Sequence, residues 1–286
     1  MFEAILSYLW AATLASIIQI GIFLFPGLVL AFIMNYESGF VQRRALLTMG
    51  KGWYLGLFGW LGTIIHELGH AIFCLIFRHK ITAMKLFYPD PETGTLGYVE
   101  HSYNSKSVYQ LMGNFFIGIG PILLGTAIIY FLSYLLLGLN PIKLANNFSF
   151  ASSHIYSWDT LTQIFQILWT SSTSLLYQVF SLHNLSTWQF YAFIYLAFAI
   201  GSSITLSPPD LKTTLKGLSV ILVLVFIFNL ATVWAGDFTS NIIIGIVGYL
   251  RVFYTAVFLI LLLNIAVSVL FLLPLSLLRT RHSKSE

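Results

Sequence analysis

Long apolar stretches, separated by short polar ones, run along most of this chain. Six stretches reach the roughly 18 residues that a membrane-spanning helix needs. They lie at 4–34, 53–77, 108–137, 188–207, 214–235 and 250–278. The pattern therefore predicts an all-α polytopic membrane protein with about six transmembrane helices.

Three segments depart from this simple pattern. The first apolar stretch contains Pro26, which predicts a kink, and it is too long for a signal-peptide core, so a retained membrane helix is expected. Residues 241–250 are apolar and glycine-rich and precede Arg251, which favours an interfacial or re-entrant piece before the last helix. The connection 140–187 is richer in Ser, Asn and Trp, and 161–179 within it is predicted to be an interfacial amphipathic helix or a structured loop.

The composition agrees with a membrane protein. The chain is 58% hydrophobic, only 8% charged, and carries a net charge of +4. Its basic residues lie at the ends of the apolar stretches and form no dense face interleaved with aromatic residues, so nucleic acid is not an expected partner. The chain is instead expected to lie in a lipid bilayer. The sequence carries no signal for the oligomeric state.

The distribution of basic residues predicts a topology. The basic tail at 279–284 places the C-terminus in the cytoplasm by the positive-inside rule, and the plasma membrane of a prokaryotic cell is the expected location. Counting spans backwards then places 80–106 and a turn around Lys212 on the cytoplasmic side and 140–187 outside. The basic stretch at 43–51 falls outside on this count, against the rule, so the orientation of the first helix stays open.

An HExxH motif lies inside the second predicted span, 53–77. His66 and His70 are four residues apart, so on a helix they share one face and can bind the same divalent ion. Glu67 between them is then placed to take a proton from water, which is the arrangement that zinc hydrolases use. Ionisable residues inside a membrane segment are costly and are functional candidates by default. The structural alternative is a set of buried polar residues that links helices.

A short β-prone region follows this span. The stretches 84–88 and 95–99 are separated by the turn-rich connector 89–94, which predicts a β-hairpin. A lone hairpin is unstable in water, so it is expected to pack against the helices. Its edge strand could pair with an extended peptide, and the alternative is a plain cytoplasmic loop.

A catalytic zinc site needs a third protein ligand, and Asp210 is the favoured candidate. It follows a helix break at Pro208 and Pro209, which is tolerated at membrane depth where the backbone is buried or lines a wet cavity. The alternative is that Asp210 only caps a helix, since Ser207 and Asp210 have capping-box spacing. Cys74 also lies one turn after His70, but a packing role is favoured for it.

The chain resembles the site-2 protease family of intramembrane zinc metalloproteases. The resemblance rests on His66-Glu67-Leu68-Gly69-His70 in a membrane helix, the hairpin after it, Gly118-Ile119-Gly120-Pro121 on the next span, and Asp210. It covers about residues 53–217. The aspartate stands in a Ser-Pro-Pro-Asp setting here, whereas the family usually has Leu-Asp-Gly, so the chain resembles a divergent member.

The resemblance implies a function and a division of the chain. Zn²⁺ would be bound by His66, His70 and Asp210, with Glu67 as the general base and a membrane-protein or peptide substrate. The hairpin would guide the unwound substrate. The implied division has three parts: an N-terminal transmembrane helix with an interfacial segment (1–52), a metalloprotease core (53–217), and C-terminal transmembrane helices with a basic tail (218–286).

The sequence leaves two further residues and three other functions open. Asn114 could donate a hydrogen bond to a developing oxyanion or only link helices, and His101 could approach the site or lie on a surface loop. The competing functions are a non-hydrolytic metal-binding protein or transporter, an inactive scaffold, and a different zinc hydrolase with a glutamate ligand. The intact Glu67 disfavours the scaffold, and the lack of an internal repeat disfavours the transporter. Glu92 and Glu100 lie in the loop, which disfavours the third.

Overall fold

The computed structural model describes residues 1–90, 92, 94–140, 158–235 and 237–269, which are mostly helical. The basic tail at 279–284 and part of the long connection, 141–157, lie outside the described residues. The elements are α1 (Phe2–Met49), α2 (Lys51–Ile76), β1 (Lys80–Lys85), β2 (Tyr98–Ser102), α3 (Val108–Leu137), α4 (Trp158–Val179), α5 (Leu182–Leu185), α6 (Trp188–Gly201), α7 (Pro208–Thr232) and α8 (Asp237–Val267).

The helices are those of an integral membrane protein, although six full spans are not confirmed. Four helical segments are long and apolar enough to cross a membrane, namely Phe2–Met49, Lys51–Ile76, Val108–Leu137 and Pro208–Ala235. The apolar segments Trp188–Gly201 and Phe253–Val267 are shorter. Trp188–Gly201 is 14 residues long and spans roughly 21 Å, whereas the hydrocarbon core of a bilayer is about 30 Å thick.

The directions of the helices correct the predicted topology. α6 runs parallel to α2, because the Tyr195 hydroxyl donates to the Leu57 carbonyl and, further along both segments, the Ser203 carbonyl bonds His66. Both α2 and α7 run antiparallel to α3. The close approaches that establish this are Gly69 to Pro121 and Phe77 to Gly113 between α2 and α3, and Thr214 to Gly118 and Gly217 to Phe115 between α7 and α3.

α6 and α7 therefore run in the same direction, one after the other, and do not form an antiparallel pair. The prediction of separate spans at 188–207 and 214–235 with a turn around Lys212 is wrong, because Lys212 lies inside α7. The break after Gly201 interrupts the helical hydrogen bonds, and Pro208 starts a new helix that continues in the same direction. The sidedness obtained by counting spans backwards consequently does not follow.

Other predicted boundaries also move. α1 continues through Pro26 and ends at Met49, so the first helix is longer than 4–34. Residues 241–250 belong to the continuous helix α8, so a separate re-entrant piece is not present. A helix does form in the long connection, since α4 spans Trp158–Val179. Sequence patterns mark where a helix can form, whereas its ends depend on the packing around it.

The hairpin after α2 is present, but its strands are displaced from the predicted 84–88 and 95–99. β1 and β2 pair antiparallel with Lys80 opposite Ser102 and Lys85 opposite Tyr98. The predicted stretches lie mainly in the distal end of the hairpin, where the Tyr88 N–H donates to the Leu96 carbonyl at 2.6 Å. The ladder begins at Lys80, after a short connection from the end of α2 that contains Arg78 at a φ of 57°.

Glycines let the helices of the core approach at backbone distance. A Cβ on Gly69 would lie 2.6 Å from the backbone nitrogen of Pro121, and a Cβ on Gly217 would overlap the backbone of Phe115. Since real Cβ atoms do not approach so closely, these positions require glycine for α2, α3 and α7 to pack as they do. This packing brings residues from α2 and α7 to one place.

Candidate metal centre

His66, His70 and Asp210 meet where α2, α3 and α7 pack together. The two histidines lie one turn apart on α2, and Asp210 is the third residue of α7. The His66 and His70 Nε2 atoms are 3.2 Å apart. Asp210 places Oδ2 3.6 Å from the His66 Nε2 and Oδ1 3.1 Å from the His70 Nε2. The three side chains thus form a group that could hold a metal ion.

Backbone carbonyls orient both imidazole rings. The His66 Nδ1 lies 2.9 Å from the Ser203 carbonyl oxygen, and the His70 Nδ1 lies 2.7 Å from the Ile117 carbonyl oxygen. Because a carbonyl oxygen only accepts hydrogen bonds, we assign the proton of each neutral ring to Nδ1. Each Nε2 then turns a lone pair toward the Asp210 carboxylate. Metal-binding histidines commonly have their other ring nitrogen held in this way.

The spacing of the donor atoms fits a tetrahedral ion. Ligand bonds of about 2.0–2.1 Å in a tetrahedron separate neighbouring ligand atoms by roughly 3.3 Å. The two Nε2 atoms are 3.2 Å apart, and each lies 3.1–3.6 Å from one oxygen of the Asp210 carboxylate, Oδ1 for His70 and Oδ2 for His66, so the spacings are close to this value. Two imidazole lone pairs and a carboxylate also repel one another unless a cation lies among them. The arrangement therefore suits zinc chemically, and Cys74 does not belong to this group.

Asp210 forms the helix cap that the sequence offered as one alternative, and it also lies in the group that could hold a metal ion. Its Oδ2 accepts a 2.9 Å hydrogen bond from the Ser207 backbone N–H, and the Ser207 hydroxyl accepts from the Asp210 N–H, which completes a capping box at the start of α7. Its Oδ1 faces His70. The cap holds the carboxylate in a fixed direction while leaving one oxygen for a ligand bond.

Glu67 is buried beside the group and faces the hairpin. It is 7% exposed and lines the same cavity as His66, His70 and Asp210. A Cβ on Gly97 would lie 2.9 Å from the Glu67 Cγ, so the hairpin backbone passes directly over this side chain. The carboxylate is thus confined next to the two histidines.

The cavity has a volume of about 480 Å³. Its walls come from α2, the hairpin, α3 and the start of α7, and the hairpin contributes Thr95, Gly97, Tyr98, Val99 and His101. A water molecule occupies about 30 Å³ of liquid, so the cavity has room for several waters and a peptide segment. The possible metal ligands therefore face a cavity large enough for a substrate as well as for water.

The structure separates the remaining two candidates. His101 lines the cavity, whereas Asn114 does not. Asn114 is 1% exposed and donates a 3.2 Å hydrogen bond to the Leu111 carbonyl of its own helix. An oxyanion role for Asn114 stays a prediction. The orienting role of the Ser203 and Ile117 carbonyls could not be predicted from the sequence, because every residue has a carbonyl and only the fold brings these two to the histidines.

No family model matches the chain, and neither a curated protein nor a solved structure matches it. A proposal for the function therefore rests on the residues and geometry of the site.

Proposed function

We propose that this protein is an intramembrane zinc metalloprotease of the site-2 protease type. It would hydrolyse a peptide bond in or near the transmembrane segment of a membrane-protein substrate. The observation that carries the proposal is the convergence of His66, His70 and Asp210 with the buried Glu67 in one cavity between apolar helices. Two histidines, a third ligand and a separate carboxylate are the set that zinc hydrolases use.

Each side chain has a distinct role in the reaction. His66, His70 and Asp210 would hold the zinc ion, which when bound polarises the scissile carbonyl and makes water a nucleophile at neutral pH. Glu67 accepts a proton as the water oxygen bonds to the carbonyl carbon, and it gives a proton to the amine as the carbon–nitrogen bond breaks. The products are a new carboxylate and a new amino terminus.

The shape of the site favours an extended substrate over a helical one. The carbonyls of a membrane helix are used in its own hydrogen bonds, so a substrate must unwind locally before cleavage. The hairpin strand that lines the cavity offers backbone groups with which an unwound segment could pair. The cavity would also hold the water that the hydrolysis consumes.

The test is a cleavage assay with the purified full-length protein in liposomes. A panel of single-span membrane proteins is offered in ¹⁸O-labelled water, and products are identified by mass spectrometry. We expect cuts within apolar segments that place one ¹⁸O atom in each new carboxylate, with none for Glu67→Gln or after chelation of zinc. Zinc binding without cleavage of any substrate would instead favour the non-hydrolytic metal-binding function.

A further inference from the structure

A second pair of histidines lies beside the metal centre. His79 and His101 approach with their Nδ1 atoms 3.0 Å apart. His101 lines the cavity, while His79 is 4% exposed. Neither residue belongs to the group of possible metal ligands. The pair is therefore separate from the group that could hold the metal ion.

The end of α2 holds His79 rigidly. The helix stops with Arg78 at a φ of 57°, and the His79 backbone N–H donates to the Cys74 carbonyl at 2.8 Å. This is the bonding pattern of a Schellman cap. The His79 ring stacks on Tyr103 at 5.0 Å between centroids, and its Nε2 lies 2.8 Å from the Gln110 carbonyl oxygen. The ring is thus fixed by its backbone, one face and one edge.

These contacts determine where the ring protons lie. The Gln110 carbonyl can only accept, so the His79 Nε2 carries a proton. Burial lowers the pKa of His79, and burial followed by the neighbouring His79 lowers the pKa of His101 to about 4, so both rings are neutral near pH 7. A neutral His79 then has a lone pair on Nδ1, and the His101 Nδ1 must donate to it.

The His101 Nε2 is consequently a hydrogen-bond acceptor. Among the described residues it has no hydrogen-bond partner, and its side chain lines the cavity. In this tautomer it cannot donate to a carbonyl oxygen or to a developing oxyanion. It can bond a group that carries an N–H, and in a peptide substrate the backbone amide is the N–H present at every non-proline residue.

We propose that His101 binds the substrate by accepting a hydrogen bond from a backbone N–H, and that His79 is the positioning residue that keeps His101 in the accepting tautomer. This inference rests on the proposed function for the identity of the ligand. It adds a substrate-binding residue on the hairpin, in the cavity that Asp210 also lines.

A double-mutant cycle tests the hydrogen bond without catalysis. Glu67→Gln protein and Glu67→Gln/His101→Ala protein are titrated with a short fluorescent apolar peptide and with versions N-methylated at one backbone position each. N-methylation at one position is expected to weaken binding roughly three- to ten-fold in the first protein and to have no further effect in the second. Effects that are equal in the two proteins at every position would overturn the inference, as would an absence of peptide binding.

Further variants separate binding from a structural role. His101→Gln keeps an acceptor and is expected to restore most of the affinity. His79→Phe fills the buried site without an acceptor and should weaken peptide binding about as much as His101→Ala. His183→Ala, at an exposed histidine outside the cavity, is the matched control and should change nothing.

Loss of zinc from His101→Ala would contradict the assignment. Peptide binding with a positive cycle but no cleavage by the wild type would instead refute only the proposed function.

Discussion

Buried polar groups at the metal centre and at the contact of α1 with α8 differ in how many of them have hydrogen-bond partners. At the metal centre the two histidines have their Nδ1 atoms bonded to carbonyls, and Asp210 is fixed by its capping box. At the α1–α8 contact, the Glu37 Oε2 and both amide atoms of Asn264 are buried without a hydrogen-bond partner among the residues that the structure describes. Leaving such a group unpaired costs about 1–3 kcal/mol. Polar geometry is therefore more completely specified at the site than at this contact, where the Ser268 hydroxyl donates to the Glu37 Oε1 at 3.4 Å.

The two regions also differ in how their helices pack. Around the metal centre, glycines bring the backbones of α2, α3 and α7 together, so a small displacement produces a steric clash. Between α1 and α8, contact is made through side chains, including the Tyr254 hydroxyl bonded to the Phe23 carbonyl. Backbone packing fixes positions more strictly than long side chains, which can change rotamer. Helix positions are thus fixed most strictly around the metal centre, where the ligand atoms must meet.

The largest expected effect comes from changing the chemistry of the centre while keeping its shape. Glu67→Gln replaces one carboxylate oxygen by an amide of similar size, so the protein should fold and keep zinc. Peptide cleavage should fall by about 10³-fold or more, because the proton acceptor is lost. Initial rates with a cleaved substrate measure this, with zinc content as the control. Retention of more than a tenth of the activity would contradict the role of Glu67.

The next effect tests the strict packing of the core. Gly217→Ala places a methyl group into the Phe115 backbone and should lower the free energy of unfolding by about 3 kcal/mol. Gly21→Ala is the matched control, because a Cβ there meets no described atom within 4 Å, and it should be neutral or stabilising by up to about 1 kcal/mol. Thermal unfolding in detergent compares the two. Equal losses would remove the distinction between the core and α1.

A smaller effect is expected from the capping box. Ser207→Ala removes the hydroxyl that lies 2.6 Å from the Asp210 Oδ2, so the carboxylate is held less firmly. Zinc affinity should fall roughly 10-fold, as for other residues that orient a ligand. Ser219→Ala on the same helix, where the hydroxyl donates to the Lys216 carbonyl, should leave affinity unchanged. Competition with a chelator of known affinity gives both values.

The smallest effect compares two buried asparagines. Asn229 exchanges two hydrogen bonds with Gln19 and donates another to Ser16, whereas the amide atoms of Asn264 have no such partner in the described part of the chain. Asn229→Leu should therefore destabilise the protein by about 1 kcal/mol, and Asn264→Leu should cost less or raise stability. Unfolding in a denaturant series would show the order. A larger loss for Asn264→Leu would mean that this contact is as well specified as the metal centre.

Local patterns in the sequence predicted much of the fold and part of the candidate site. Helical periodicity put His66 and His70 on one face, and the spacing of Ser207 and Asp210 predicted the capping box that the structure contains. Hydropathy predicted six spans, and four of these segments lie in helices long and apolar enough to cross a membrane; turn residues predicted the hairpin. Each of these features depends on residues that are close together along the chain.

Features that depend on distant residues could not be obtained in this way. The direction of α7 follows from glycine contacts such as Gly217 on Phe115, which have no local signature. The His79–His101 pair joins residues 22 positions apart in the chain, through strands whose ends were misplaced. The proton positions depend on the Gln110 carbonyl, and any residue could have supplied a carbonyl there.

The most direct test of the central claim is the zinc content per chain of the purified protein, measured for wild type, His66→Ala, Asp210→Asn and Glu67→Gln. We predict about one zinc in the wild type and in Glu67→Gln, and little in the other two variants, because only these lose a ligand. A wild type without zinc, or zinc that is unaffected by Asp210→Asn, would contradict the three-ligand centre on which the proposed function depends.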